Sequence, residues 1–453
     1  VGLSVVLLSV FLAANGNGLE DASFREAGPT VLNSSIVVKF RDGATEEEIL
    51  SVVDRLGAAL APVDPSVRPF NLRTVLVFRG EPVRNMVEAF STEPLVDFAE
   101  LDYGAFLIAA PDDPSYPSGS QYGLDRILAP QAGCGWEAVG TGSAAVTIAI
   151  VDTGIDPTHF DLQGNVVFLP GSGAGGLPPL DDDGHGTHVA GIAGAIGNNS
   201  YGIAGVAWNC KLMAVKRISA SGATSMSYLM QGVLFAHANG AKVINCSFGG
   251  WTNQRSLGWN FVVDKVTNEG GLIVAGVGNS GREIKPPNYF YPASADNAVA
   301  VAATDSGDRL ARFSNFGSLV DIAAPGVRIC SAVSHSTLGT QTARSFGPCL
   351  VPSADVATLN GTSMSTPFVS GAAALYFGFG LSSTQVRSLL ESMALCLPDP
   401  LGTGAPLPCP NIYAGHGLLQ LPCGAFSPTP SPVPTAAPTS TPSPGPPCRD
   451  CDL

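Results

Sequence analysis

Basic residues are scarce in this 453-residue chain: 23 Lys and Arg stand against 37 Asp and Glu, a formal net charge of −14 at pH 7. That balance excludes nucleic acid or an anionic membrane surface as the main partner, since both attract positive charge. Long apolar runs are scarce too. VGLSVVLLSVFLAA, residues 1–14, is too short to span a bilayer comfortably, and no other segment approaches the length of a transmembrane helix. Paired C-x-x-C metal spacing is missing; Cys448 and Cys451 form a lone pair in the tail. HGTH lacks the glutamate of an H-E-x-x-H zinc text, and the G-x-S-x-G elbow of lipases is also absent.

With 45% hydrophobic residues, the chain can bury one large core and a second small domain. Residues 1–14 read as the apolar part of a secretory signal ending near Ala13 or Ala14. The basic start and the initiator Met are absent, so the chain is expected to begin inside that signal; a buried strand or helix is the alternative. Ten cysteines fit an oxidising compartment. Cys330 and Cys349 bracket one polar loop and Cys396 and Cys409 another, which predicts two local disulfides. Cys246, in the apolar text VINC, reads as a buried free thiol.

Three segments follow. Residues 33–103 alternate strand, helix, strand, helix, strand: SIVVKF, ATEEEILSVVDRLGA with its acidic first turn, TVLVFRG, VRNMVEAFST and LVDFAELDY. This is an α+β module of about 70 residues, near the lower limit for independent stability. Across 112–421, apolar strands (TIAIVDTG, CKLMAVKRI, AKVINCSFGG, GLIVAGVGN, AVAVAATD) alternate with helical text (HGTHVAGIAGAI, SMSYLMQGVLFAHANG, RSLGWNFVVDKVTNEG, TSMSTPFVSGAAALYF). Near-continuous apolar strands separated by helices predict an α/β domain whose parallel sheet is covered on both faces. Residues 427–447 are Pro/Ser/Thr-rich, expected as extended polyproline II. Residues 448–453 are the expected start of a Cys-rich segment.

Three strand-helix junctions carry chemistry. VDTGID ends an apolar strand at Asp152; DDDGHGTHVAG opens a helix at His185; NGTSMSTPFVSG opens another at Ser363. An alcohol is a weak nucleophile without a base, and the base needs a carboxylate to orient it and stabilise its cation. The order Asp, His, Ser differs from that of chymotrypsin and of α/β-hydrolases. DTGID, GHGTHVAG and GTSMSTP resemble the three signatures of the subtilisin-like serine peptidases, the subtilases. The text DDPSYPSGSQYGLDRILAPQAG is similar to the thermitase branch, with proteinase K-like enzymes also close. The resemblance covers 112–421 and implies a parallel seven-stranded sheet sandwiched by helices, and a secreted serine endopeptidase acting on polypeptides through an acyl-enzyme. A degenerate peptidase domain serving as a binding or wall-associated protein is the alternative, and the intact motifs speak against it.

The same resemblance implies roles for further residues. Asn279 in LIVAGVGNSG would supply a side-chain donor to the oxyanion, beside the Ser363 backbone N–H. Ser247, Phe248 and Gly249 would line one wall of the primary subsite and Ala275, Gly276 and Val277 the other, with Phe290 near its base, able to shorten it. An extended substrate would pair with these edges as an added strand. Calcium is the implied cofactor: Asp113 and Asp161 match two carboxylates of the family's tight site, with the Asn199 side chain and the carbonyls of Ile196, Tyr201 and Ile203. A second, weaker cation site is expected near Asp296 and Asp321.

The run Asp181-Asp182-Asp183 reads as a solvated loop or as charge favouring the imidazolium. His188 is expected to pack, and His159, His237, His335 and His416 carry no motif. The sequons at Asn245 and Asn360 lie in core or active-site text, that at Asn198 would compete with calcium, and Asn33 is the accessible one. Residues 33–103 resemble the family's inhibitor-like, ferredoxin-like prodomain, which implies an autoprocessed zymogen cut between Tyr103 and Asp112; an unrelated small binding domain is the alternative. The Ser-Pro tail resembles wall glycoproteins of plants and green algae, pointing to the extracellular space or cell wall. A monomer is expected.

Overall fold

The computed structural model describes residues 31–61, 71–77, 83–103, 111–173, 177–335, 348–350, 355–397, 399–402, 407–424 and 426. The expected signal, the Pro-rich tail, Cys448 and Cys451 lie outside these residues, as does most of the expected cleavage segment.

The N-terminal unit runs β1 (Val31–Phe40), α1 (Glu46–Arg55), β2 (Ala59–Leu60), β3 (Leu72–Leu76), α2 (Val83–Ser91) and β4 (Val96–Tyr103). Its antiparallel sheet has the order β2-β3-β1-β4, the ferredoxin-like arrangement. Strand β2 was not foreseen, because two residues are too few to show a period. Helix α1 starts where Thr45 accepts the Glu48 N–H and Glu48 reaches back to the Thr45 N–H, a capping box. Its buried Ile49, Val52 and Val53 recur at helical spacing and pack with Ile36, Val38 and Phe40 of β1 and Met86 and Phe90 of α2.

The larger unit contains β5 (Thr147–Asp152), β6 (Val166–Val167), α3 (His185–Gly194), β7 (Lys211–Lys216), α4 (Met226–Ala238), β8 (Val243–Cys246) and β9 (Gly250–Thr252). It continues with α5 (Leu257–Asn268), β10 (Leu272–Gly276), β11 (Tyr289–Tyr291), β12 (Val299–Thr304), β13 (Ile322–Pro325), β14 (Ile329–Ala332), β15 (Val356–Leu359), α6 (Thr362–Phe377) and α7 (Ser383–Ser392). Seven strands form one sheet in the order β13-β12-β10-β8-β5-β7-β6, every neighbour parallel. The expected sheet is therefore present, and the five strands read from the sequence are its centre; β6, of two residues, and β13 lie at the edges and were not among them.

Both faces are covered, as continuous apolar strands require. Ile148 and Ile150 of β5 pack with Val189 and Ala193 of α3 and Phe368, Val369 and Ala372 of α6. Ala149 and Val151 point the other way, toward Leu229 and Val233 of α4 and Trp259 and Val263 of α5. Strand order reverses at β5, with β7 on one side and β8 on the other, so the crevice at the carboxyl end of β5 is where such a sheet places reactive groups. Asp152 is the last residue of β5.

The two local disulfides form, Cys330–Cys349 and Cys396–Cys409, and Cys246 is a buried free thiol, as is Cys210. A third bridge, Cys134–Cys423, spans 289 residues and ties the start of this unit to its end. Nothing local in the sequence marks that pair.

Candidate active site

Asp152 is fully buried, and its Oδ1 accepts the Thr153 N–H at 2.7 Å and meets His185 Nδ1 at 2.8 Å. With Nδ1 turned to the carboxylate, Nε2 is the nitrogen left to accept a proton. His185 opens α3, whose N-terminus comes close to β5 because Gly186 has no side chain: a Cβ there would lie 2.1 Å from the Gly154 carbonyl oxygen. Burial lowers the His185 pKa, but the Asp152 charge and hydrogen bond outweigh it, with Asp183 and Asp181 adding, and the imidazole is held up at about 9.

The acidic run before His185 is not a solvated loop. Asp181 is buried, and its two oxygens accept the Thr153 hydroxyl (2.8 Å), the Asp183 and Gly184 N–H groups (3.0 and 2.9 Å) and the N–H and hydroxyl of Thr187 (2.8 and 2.5 Å). One carboxylate thus joins the end of β5 to the first turn of α3. Only Asp182 is exposed, paired with Lys216 at 2.6 Å. Asp183 accepts the His185 N–H at 3.2 Å.

Ser363 lies in the first turn of α6, where N–H groups have no intrahelical partner, and the N-cap residue, Gly361, has no side chain to offer them. Four residues on, Pro367 has no N–H to give the Ser363 carbonyl. The Ser247 hydroxyl supplies that bond at 2.8 Å, itself held by Asn245 Nδ2 at 2.9 Å, while Asn245 Oδ1 accepts the Ser370 hydroxyl at 2.8 Å. The Ser363 hydroxyl donates to the Ser247 carbonyl at 3.1 Å. Ser370 went unremarked in the sequence because it sits inside apolar text, and Asn245 was noted there only as a sequon in core text.

Asn279 follows β10. Its Oδ1 accepts the N–H and hydroxyl of Thr362 at 2.8 and 3.1 Å, which turns Nδ2 outward. A Cβ on Gly361 would lie 3.3 Å from Asn279 Nδ2 and 3.5 Å from the Ser363 nitrogen. Two donors therefore converge on one space that only glycine leaves open. Asn315, fully buried, steadies this loop: its Oδ1 accepts Ser280 N–H and Arg282 N–H, each at 3.0 Å, and its Nδ2 donates to the Val277 carbonyl at 2.7 Å.

The expected subsite walls extend from neighbouring parallel strands β8 and β10. Ser247, Ala275 and Val277 direct their side chains into the interior. Val277 is further committed, its N–H bonded to Val301 and its carbonyl to Asn315. Phe248 is half-buried and Gly249 exposed. The Phe290 ring packs against Gly249 of one wall and Gly278 just beyond the other: a Cβ on either would lie 2.2 or 2.6 Å from it.

The expected calcium residues also gather. Asp113 accepts the Asn198 N–H at 2.7 Å and the Asn199 N–H at 3.4 Å; Asp161 accepts Asn199 Nδ2 at 3.1 Å and the Ile203 N–H at 2.9 Å. Ile196 N–H bonds to the Asp161 carbonyl at 2.8 Å, and Tyr201 N–H to Asn199 Oδ1 at 2.9 Å. Both carboxylates are fully buried and raised by that burial, Asp161 to about 7 with the Asp113 charge contributing. No cationic side chain pairs with either among the described residues. Two such carboxylates are costly without a counter-charge, so the donor set fits a hard cation. No group of three His, Cys, Asp or Glu suited to a metal occurs among the described residues, so carbonyl oxygens would complete the shell.

The second cation site does not form. Asp321 is bound by Arg387 at 2.6 Å and Asp296 by Arg255, so both charges are already met by guanidinium. His188 is fully buried, and burial holds it down at about 3. His159 is likewise buried against the Asp355 carbonyl at 2.9 Å. Asn245 is buried, and Asn360 accepts the Arg328 N–H at 2.7 Å.

No helix among the described residues is long and apolar enough to cross a membrane. The subtilase family model matches residues 143–417. Thermitase of Thermoactinomyces vulgaris is 41% identical over 291 residues, covering 63% of this chain and 91% of that protein. A thermophilic serine proteinase of Bacillus sp. (strain AK1) is 34% identical over 364 residues, 80% of this chain and 82% of that one. A solved protease of Pseudoalteromonas arctica PAMC 21717 superposes with a TM-score of 0.54 at 25% identity, over 69% of this chain and 97% of that one. With the sheet, the junction motifs and these matches in agreement, the chain belongs to the subtilase family of serine endopeptidases.

Proposed function

We propose that Ser363, His185, Asp152 and Asn279 carry out peptide-bond hydrolysis. The observation that carries this reading is that Asn279 Nδ2 and the Ser363 nitrogen lie 3.3 and 3.5 Å from one point, where a Cβ on Gly361 would stand. Ser363 Oγ attacks the scissile carbonyl carbon while His185 Nε2 takes its proton, and Asp152 stabilises the imidazolium. The carbonyl oxygen, now negative, is held by the two donors. His185 then protonates the amine as the C–N bond breaks, leaving an acyl ester on Ser363. Water, deprotonated by His185, attacks that ester; the acid departs and Ser363 regains its proton. Asn279→Ala is expected to lower kcat by roughly 10²–10³, the scale established for this donor in subtilisin itself, with KM little changed. Steady-state kinetics test this, and an unchanged kcat refutes the role.

The βαββαβ unit at 33–103 supports the reading of a prodomain that occupies the cleft until the enzyme cuts itself free. Together with the apolar text at 1–14 and the cysteine usage, it supports a secreted zymogen. The Pro-rich 427–447 is consistent with a wall-directed stalk.

Calcium held by Asp113, Asp161 and the 196–203 loop would neutralise two buried carboxylates and so stabilise the unit that carries His185. Chelation with EDTA is then expected to lower Tm; a site at one hundred times its Kd contributes about 2.7 kcal/mol. Asp161→Ala should lower Tm similarly and abolish the EDTA effect. Equal Tm values with and without EDTA in the unsubstituted protein would remove calcium from this account.

A further inference from the structure

Phe290 offers more than a place near the subsite. It sits in β11, paired antiparallel with Trp251 of β9. Its N–H donates to the Ser294 hydroxyl at 2.9 Å, and its carbonyl accepts the Ser294 N–H at 2.9 Å. The ring packs edge-on to Trp251 with centroids 5.4 Å apart, and the Arg282 guanidinium covers Trp251 at 4.9 Å. Backbone and ring are therefore both held, leaving Phe290 8% exposed.

The far edge of the ring packs against Gly249 of one expected wall and against Gly278, the residue directly after the other. Its Cε1 would lie 2.2 Å from a Cβ on Gly249, and its Cζ 2.6 Å from one on Gly278. Real Cβ atoms do not approach so closely, so the ring already fills the gap that glycine leaves on each side. A substrate side chain entering between these walls meets an aromatic edge instead of a cavity. Displacing a well-packed, ladder-held ring is costly.

We infer that Phe290 is a plug that restricts this subsite to small side chains, making the enzyme selective for Gly, Ala or Ser as the residue whose carbonyl is cleaved. This rests on the peptidase reading above and on the subsite walls expected at 247–249 and 275–277, the latter followed directly by Gly278. Selectivity arises because a bulky side chain must either displace the ring or remain in water, whereas a methyl group need do neither.

The test uses the processed enzyme and two tetrapeptide nitroanilides that differ only in Ala or Phe at the cleaved carbonyl. Active-site concentration is titrated with a fluorophosphonate. The native enzyme is expected to favour Ala by at least about tenfold in kcat/KM, within the 10–200-fold reach of pocket fit. Phe290→Gly is expected to shift that ratio toward Phe by a factor in the same range. Phe290→Val, better suited to a strand, should shift it in the same direction if the glycine variant does not fold. Native cleavage of the Phe peptide as fast as the Ala peptide overturns the plug, as does a ratio unmoved by either variant. An enzyme that takes up no fluorophosphonate and cuts neither peptide overturns the peptidase assignment on which the plug depends.

Discussion

Replacing Ser363 by Ala is expected to abolish peptide cleavage, with kcat falling on the order of 10⁶-fold, the scale established for the nucleophile of subtilisin, a relative of this chain. The variant should also retain its N-terminal unit, because the proposed removal of 33–103 uses the same hydroxyl. Mass spectrometry of the product would show the intact precursor, and fluorophosphonate would leave it unlabelled. Folding should survive. Ser363 is half-buried, and the backbone contact that holds it runs from Ser247 to its carbonyl, which alanine retains. Full activity, or normal processing, in this variant would sink the assignment.

Asp152→Asn is expected to cost roughly 10⁴-fold in kcat and to move the pH profile. The base must be neutral to take a proton, and Asp152 holds His185 above its ordinary value of 6.5, at about 9. The native rate should therefore climb across the alkaline range as the imidazolium is lost. Removing the carboxylate charge lowers the His185 pKa, so the residual activity of the variant should reach its plateau at lower pH. The linkage to stability has the matching sign. A group whose pKa is raised on folding stabilises fully below about 6.5 and loses that contribution as pH rises through about 9. The native protein should lose Tm over that window more steeply than Asp152→Asn. A pH-rate midpoint identical in both proteins would separate Asp152 from the base.

These effects depend on groups that take no part in the bond-making steps. Asp181 ties the end of β5 to the start of α3 through bonds to Thr153, Gly184 and Thr187. Asn315 does the same for the loop that carries Asn279. Ser247 answers the carbonyl that Pro367 leaves unpaired. Thr153 with Asp181, Ser280 with Asn315 and Ser247 with Ser363 link segments distant in the chain, so the precision of the site depends on contacts across the sheet edge as well as on its motifs.

Much was nonetheless legible. The three junction texts could be read because each encodes a local event: an apolar strand ending at Asp152, and Gly-rich helix starts at His185 and Ser363. Helix α1 announced itself through its amphipathic pattern and its acidic first turn, Glu46 to Glu48. The parallel sheet followed from apolar strands too uniformly buried to alternate. Other features resisted. An acidic run looks the same whether it is solvated or, like Asp181, buried among donors. Asp296 and Asp321 looked like ligands until Arg255 and Arg387 were beside them. Cys134 and Cys423 give no sign of each other across 289 residues.

By itself, then, the sequence determined the family, the order of the three reactive side chains and the kind of sheet that carries them. Those depend on short-range patterning of hydrophobicity, turns and helix starts. Only the tertiary structure decided that Asp181 is buried and joins β5 to α3, that Arg255 and Arg387 pair with Asp296 and Asp321, and that the Phe290 ring packs against Gly249 and Gly278. Those outcomes turn on burial and on distances of a few ångströms between segments distant in the chain, and residue order carries no direct record of either.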